Sequence, residues 1–180
     1  MMRPQRTALA LAITALTLGA CTSMPVGNRQ VPAPAKPVDI KAYGGLWYEM
    51  ARYENGFEQG CEGVTAEYGL LPDGKVSVTN SCHKDRLDGP LRVAHAKAIV
   101  VAGANNAKLK VSFFGPFYVG DYWVLDHADD YSWSIVGEPS GRYLWVLTRE
   151  AVVSPDLRKT LTDRVVALGY DQKLLRPTQH

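Results

Sequence analysis

From Leu46 to Arg149 apolar and polar residues alternate with period two, and the pattern restarts at turn signals about every 10–15 residues. Such alternation places successive side chains on opposite faces of a strand. It predicts strands over 45–53, 62–71, 75–83, 91–101, 107–114, 119–126, 131–138 and 142–149. Pro72-Asp73-Gly74, Asp88-Gly89-Pro90, Gly103–Asn106, Gly115-Pro116, Ala128–Asp130 and Pro139-Ser140-Gly141 supply the breaks. One helix follows: Ser154 is a natural N-cap, Pro155 suits the first helical position, Leu157, Leu161, Val165 and Leu168 share a face, and Gly169 ends it. A single amphipathic helix must lie against the outside of the sheet. The expected fold is therefore all-β, an eight-stranded up-and-down antiparallel barrel with one C-terminal α-helix packed outside. Eight is the strand number whose interior holds side chains or one small ligand.

Up-and-down connectivity assigns every turn to one end or the other. Gly45, Trp47, Asp130, Tyr131 and Arg149 converge at the end where the first strand begins, and an Arg over a Trp face would plug it as a cation–π pair. All four phenylalanines, Phe57, Phe113, Phe114 and Phe117, fall at the opposite end with Tyr53 and Tyr118. With Trp47 and Arg149 taken as inward, parity turns Val64, Ala66 and Tyr68, then Val76, Val78 and Asn80, then Leu109, Val111 and Phe113 into the barrel. It does the same for Tyr122 and Val124, for Trp133 and Ile135, and for Tyr143, Trp145 and Leu147. On the fourth strand either Ala94-Ala96-Ala98 or Val93-His95-Ile99 faces inward. Glu49 shares the parity of Trp47 and is a candidate buried carboxylate whose partner the pattern does not reveal. The candidate ligand contacts are Phe57, Ala66, Val78, Asn80, Val111, Phe113, Tyr122, Ile135, Tyr143 and Trp145, with Asn80, Tyr122 and Tyr143 as the polar groups that could orient a head group. In a filled barrel the same residues are ordinary core. The aromatic end either packs beneath the long first loop or forms an apolar entrance, which hands an acyl chain inward or pairs with a second copy as a homodimer.

Composition changes this picture little until the N-terminus is considered. The 180 residues are 46% hydrophobic and 21% charged, which suits a globular domain. The formal charge of +2 comes from Arg3 and Arg6, and the remainder is balanced, so the electrostatic basis for a nucleic-acid partner is missing. These two arginines precede an apolar run of about eleven residues, too short to span a bilayer and suited to a signal peptide over 1–20. The run ends in Leu18-Gly19-Ala20-Cys21, which resembles the lipobox of bacterial lipoproteins, with Cys21 as the lipidated residue. Thr22 follows rather than Asp, so the resemblance implies the outer membrane, with the protein lipid-anchored on the periplasmic side. Residues 21–37 hold Pro25, Pro32, Pro34 and Pro37 and read as an extended tether reaching about 50 Å, leaving 38–180 as the domain. Beyond Cys21 the chain has Cys61 and Cys82, an even pair that in an exported protein favours a disulfide, here at the aromatic end of neighbouring strands.

Catalytic chemistry is not evident. His83, His95, His127 and His180 lack metal-ligand spacing, and no nucleophile elbow, phosphate loop or dinucleotide fingerprint occurs, so no metal or cofactor is expected. The alternatives are an enzyme acting on a lipophilic substrate, with a free inward thiol at Cys82 as nucleophile, and a structural envelope lipoprotein whose cavity is collapsed.

Three short segments carry a family resemblance. Gly45-x-Trp47, Asp129-Asp130-Tyr131 and Leu144-Trp145-Val146-Leu147-Thr148-Arg149 resemble, in order and spacing, the three motifs of the lipocalins, with Asp129 standing where Thr is usual. The wording of Trp47–Tyr53, Phe57-Glu58-x-Gly60, Val111–Tyr118 and Tyr143-Leu144-Trp145 is similar to the bacterial outer-membrane lipocalins over about 38–175. The resemblance implies a binding protein rather than an enzyme, holding a fatty acid or lysophospholipid and serving envelope lipid maintenance. Burying some fifteen methylenes gives about 12 kcal/mol gross against association costs of about 4–15, so micromolar affinity is expected.

Overall fold

The computed structural model describes residues 24–180, so the leader over 1–20 and Cys21 lie outside the described residues. Eight strands form the barrel: β1 (Gly45–Tyr53), β2 (Cys61–Leu70), β3 (Val76–Lys84), β4 (Leu91–Val100), β5 (Lys108–Ser112), β6 (Gly120–His127), β7 (Trp133–Gly137) and β8 (Leu144–Thr148). Each pairs antiparallel with the next, and β1 pairs with both β2 and β8, which closes the sheet. Helix α2 (Pro155–Ala167) is capped by Ser154, whose hydroxyl accepts from the Leu157 amide at 3.2 Å, and its Leu161 and Val165 are fully buried. Three elements escape the sequence pattern: a helical turn α1 (Ile40–Tyr43), a 3-10 turn (Gln172–Leu174), and a short strand β9 (Leu175–Pro177) that pairs with the second half of β1.

Two apolar layers share the same strands. Outside, α2 packs on Met50, Leu125, Ile135, Leu144 and Val146. Inside, Trp47, Val124, Val136 and Leu147 fill one end of the barrel, while Val76, Val78, Ala96, Ala98 and Leu109 line its wall. This double burial corrects two inward assignments, both on β7. Ile135 and Trp133 lie beneath α2, whereas Ser134 and Val136 face inward opposite Leu147 and Trp145. Strands covered on both faces are apolar on both, so alternation loses its sign on β7. On β4 the ambiguity resolves toward the alanines, since Ala96 and Ala98 are buried against Val76 and Val78 while Val93 and His95 are exposed.

The segment expected as a free tether is docked from Met24 onward. Gly27 and Asn28 donate backbone hydrogen bonds to the Gly141 carbonyl, and Asn28 Nδ2 reaches the Leu168 carbonyl at 2.9 Å. Ten residues later the Val38 amide donates to Asn105, and His127 Nε2 meets the Pro37 carbonyl. The strap thus runs the length of the barrel from the β7–β8 turn to its opposite end. At the β7–β8 end Cys61 and Cys82 form a disulfide across β2 and β3, with Cα atoms 5.4 Å apart. A closed loop of this size stabilises by about 3 kcal/mol in the chain-entropy account.

Candidate functional site

The barrel has a floor, a hollow middle and an open mouth. At the floor the Arg149 guanidinium lies 3.7 Å over the Trp47 ring. Its nitrogens donate to the carbonyls of Leu46 (2.6 Å), Gly44 (2.9 Å), Ala42 (3.1 Å) and Tyr131 (3.2 Å). One side chain therefore satisfies the orphan carbonyls at the end of α1 and covers the aromatic floor. Gly45 adopts φ +85°, and a Cβ there would sit 3.7 Å from the guanidinium. Asp130 accepts from the Ser132 amide at 2.9 Å, and Tyr131, stacked on His127, accepts from the Asp39 amide that opens α1. Arg149→Ala should lower stability by about 1–3 kcal/mol through lost packing and cation–π contact while leaving ligand affinity within twofold. Denaturant unfolding checks this, and an unchanged midpoint with abolished binding would reassign Arg149 to the ligand site.

Above the floor stands a network that parity only half revealed. The Tyr122 hydroxyl is shared with Tyr43 (3.0 Å) and Tyr68 (2.9 Å), and Tyr43 also meets Ser134 Oγ at 2.9 Å. Burial pushes the Tyr43 phenol up to about 12 and raises those of Tyr68 and Tyr122 well above the ordinary phenol value, so all three stay neutral. Tyr122 lines the cavity, but its hydroxyl is already committed to this network rather than free for a head group. Tyr43 lies before the first strand, where no periodicity marks it.

The hollow middle is a cavity of about 400 Å³, within the range of small-molecule sites. Of the residues singled out by sequence, Phe57, Ala66, Val78, Asn80, Val111, Phe113, Tyr122, Tyr143 and Trp145 line it together, and Ile135 does not. Phe57 and Trp145 both stack against Tyr143 at the mouth, with ring centroids 5.8 Å apart in each pair. Trp145 Nε1 donates to Glu58 at 2.9 Å, and Asn55 Nδ2 donates to the same carboxylate. Four acidic residues line the cavity, Glu49, Glu58, Asp121 and Glu138, of which Asp121 is paired with Lys110 at 2.8 Å, and among the described residues no Lys or Arg lines it.

Glu49 finds its partner three residues along its own strand. A regular strand would send residues 49 and 52 to opposite faces, but a register shift between Glu49 and Ala51 inserts one residue and turns Arg52 inward. The Arg52 guanidinium, fully buried, donates to Glu49 at 2.7 Å and to the carbonyls of Glu58 (3.0 Å) and Cys61 (3.2 Å). Thr178, just beyond β9, donates its hydroxyl to the same Glu49 Oε1 that accepts from Arg52. Burial, reinforced by the nearby Glu58 charge, raises the Glu49 carboxyl to about 7 against the opposing pull of Arg52. The thiols of Cys61 and Cys82 are joined, so neither is available as a nucleophile.

A lipocalin-like domain model matches residues 38–180. The chain is 37% identical to the outer membrane lipoprotein Blc of Escherichia coli over 91% of this chain and 90% of that protein. It is 34% identical to the Vibrio cholerae outer membrane lipoprotein Blc, with 92% and 91% covered, and 36% identical to temperature-induced lipocalin-1 of Arabidopsis thaliana, with 79% and 80% covered. Insecticyanin from the tobacco hornworm superposes with a TM-score of 0.68 at 20% identity, covering 86% of this chain and 87% of that one, which speaks to the fold alone. A closed eight-stranded barrel with this floor, matched from residue 38 to its end by the domain model and at more than a third identity by bacterial relatives, makes the chain a member of the lipocalin family.

Proposed function

We propose that this lipocalin takes up the acyl chain of one lysophospholipid or fatty acid and serves lipid handling in the cell envelope. In this reading it is anchored through Cys21 to the periplasmic side of the outer membrane. It acts by binding rather than catalysis. The observation that carries the reading is an apolar cavity open at one end, whose lining holds Glu58 and Glu138 outside any Lys or Arg ion pair among the described residues and no Lys or Arg of its own. That charge pattern favours a lysophospholipid bearing an ammonium over a free fatty acid. A carboxylate entering this mouth would meet Glu58 and Glu138, the Asp121 carboxylate being paired with Lys110 at 2.8 Å, whereas an ammonium finds a carboxylate beside the stacked faces of Phe57, Tyr143 and Trp145. The described residues contain no helix long and apolar enough to cross a membrane, so the envelope assignment rests on Leu18–Cys21 and on the named outer-membrane relatives.

Mature chain carrying Cys21→Ser, stripped of lipid, should bind lysophosphatidylethanolamine at least tenfold more tightly than the fatty acid of the same chain length at pH 7.5. The preference should shrink in Glu58→Gln. Equal affinities, or tighter binding of the fatty acid, would remove the head-group argument. The same Cys21→Ser substitution should move the protein from the membrane to the soluble periplasmic fraction, and palmitate label persisting in it would refute the anchor.

A further inference from the structure

We infer that the open mouth of the barrel docks onto the bilayer, so that the cavity opens into the lipid rather than into the periplasm. The inference rests on the anchoring proposed above and adds an orientation to it. The first described residues determine where the anchor emerges. The Met24 carbonyl accepts from Arg142, and Gly27 is held by Gly141, both in the β7–β8 turn at the mouth. Cys21 stands three residues before Met24, and three extended residues span at most about 11 Å. The strap fixes the polarity, because the chain then leads away from the mouth toward the floor, where Val38 is tied to Asn105. A lipid on Cys21 therefore holds the mouth, and not the floor, against the membrane surface.

The mouth is built for that contact. The β5–β6 loop reads Phe113-Phe114-Gly115-Pro116-Phe117-Tyr118-Val119, seven residues without a charge. Phe114, Phe117 and Val119 are 86%, 72% and 79% exposed, and Phe57 across the mouth is 62% exposed. Leu91 and Val93, on the β4 segment at the same end, extend the patch at 61% and 50%. Gly115, at φ +62°, turns the loop so that phenylalanines stand on both sides of its tip. A patch of this size in water is otherwise a liability; against acyl chains it is buried. Phe114 and Phe117 do not line the cavity, whereas Phe113 and Val119 do, so the loop joins the membrane-facing patch to the lumen.

The test uses the lipidated full chain in phosphatidylethanolamine–phosphatidylcholine vesicles and the Cys21→Ser mature chain free in buffer, compared by amide hydrogen exchange. The proposal predicts that loop 113–119 slows at least tenfold on vesicles while the turns at 71–75 and 101–107 are unchanged. Phe114→Ser/Phe117→Ser in the anchored chain should abolish the slowing yet keep lysophospholipid affinity, since neither residue touches the lumen. The mass of the N-terminal fragment reports acylation separately, so an unlipidated chain would sink the anchor, not the orientation, which Cys21→Ser chain mixed with vesicles still tests through the same protection and its loss in the double serine variant. Protection of the floor turns, or no protection of loop 113–119 in either chain, would overturn the inference. A concentration-dependent dimer of Cys21→Ser chain in buffer that the double serine variant dissolves, without vesicle protection, would give the patch to a second copy instead.

Discussion

Arg52→Leu is expected to lower unfolding free energy by about 3–5 kcal/mol, the usual effect of removing one partner of a buried ion pair. Few single changes outside the floor should cost more, because Arg52 gathers four parts of the chain. It donates to Glu49 on β1, to the Glu58 carbonyl in the first loop, to Cys61 on β2, and to Thr178 beyond β9. Leucine restores the volume and none of the hydrogen bonds, and it leaves the Glu49 carboxylate in an apolar wall. The loss should depend on pH in a defined direction. Because the folded carboxyl sits at about 7, above its ordinary 4.5, Glu49 binds a proton in the folded chain where the unfolded chain has lost it. Stability from this group therefore falls as pH rises from about 4.5 to 7, and Arg52→Leu should extend that decline to higher pH. Denaturant unfolding at pH 5 and pH 8 checks both statements. A variant as stable as the parent at pH 8 would mean that Glu49 is neutral or solvated and that the pair does not hold β9 and the first loop.

Ala66→Trp should weaken acyl-lipid binding well over tenfold, about 1.4 kcal/mol or more, while the barrel stays folded. Ala66 is a small residue on the lumen face of β2, buried between Trp47 on β1 and Asn80 on β3, and its methyl borders open space. An indole placed there occupies volume that an acyl chain requires. Ala98→Phe, on β4, tests the same idea from another strand and should act in the same direction. Thermal unfolding of both variants separates blocked binding from lost fold. Full binding by a folded Ala66→Trp would move the lipid to the aromatic rim and leave the lumen as ordinary core.

The barrel was legible because period-two alternation and turn residues are local signals, and strand order follows from them when every connection is short. The floor was legible for the same reason: connectivity alone brings Trp47 and Arg149 to one end. What alternation could not supply was the facing of strands buried on both sides, which misassigned Ile135. It was equally blind to the bulge after Glu49, a one-residue event that changes the partner of a buried charge. Tyr43 and Thr178 sit in segments without periodicity, so the hydroxyl network and the C-terminal closure had no signature. The strap at 24–37 is rich in proline and reads as a spacer, yet backbone hydrogen bonds at Gly27 and Asn28, the Asn28 side chain and the Lys36 ammonium, which bonds the His127 carbonyl and pairs with Asp129, hold it to the barrel, and composition does not encode those partners.

The most direct test of a lipid-holding lumen is a titration of delipidated Cys21→Ser mature chain with lysophosphatidylethanolamines of graded chain length, followed by calorimetry and by tryptophan fluorescence, to which Trp145 in the cavity wall contributes. A chain drawn into the barrel predicts one lipid per protein and affinity that rises with each methylene, by up to about 0.8 kcal/mol, until the cavity is full and then levels off. Affinity independent of chain length, or several lipids bound per protein with Trp145 unperturbed, would contradict it.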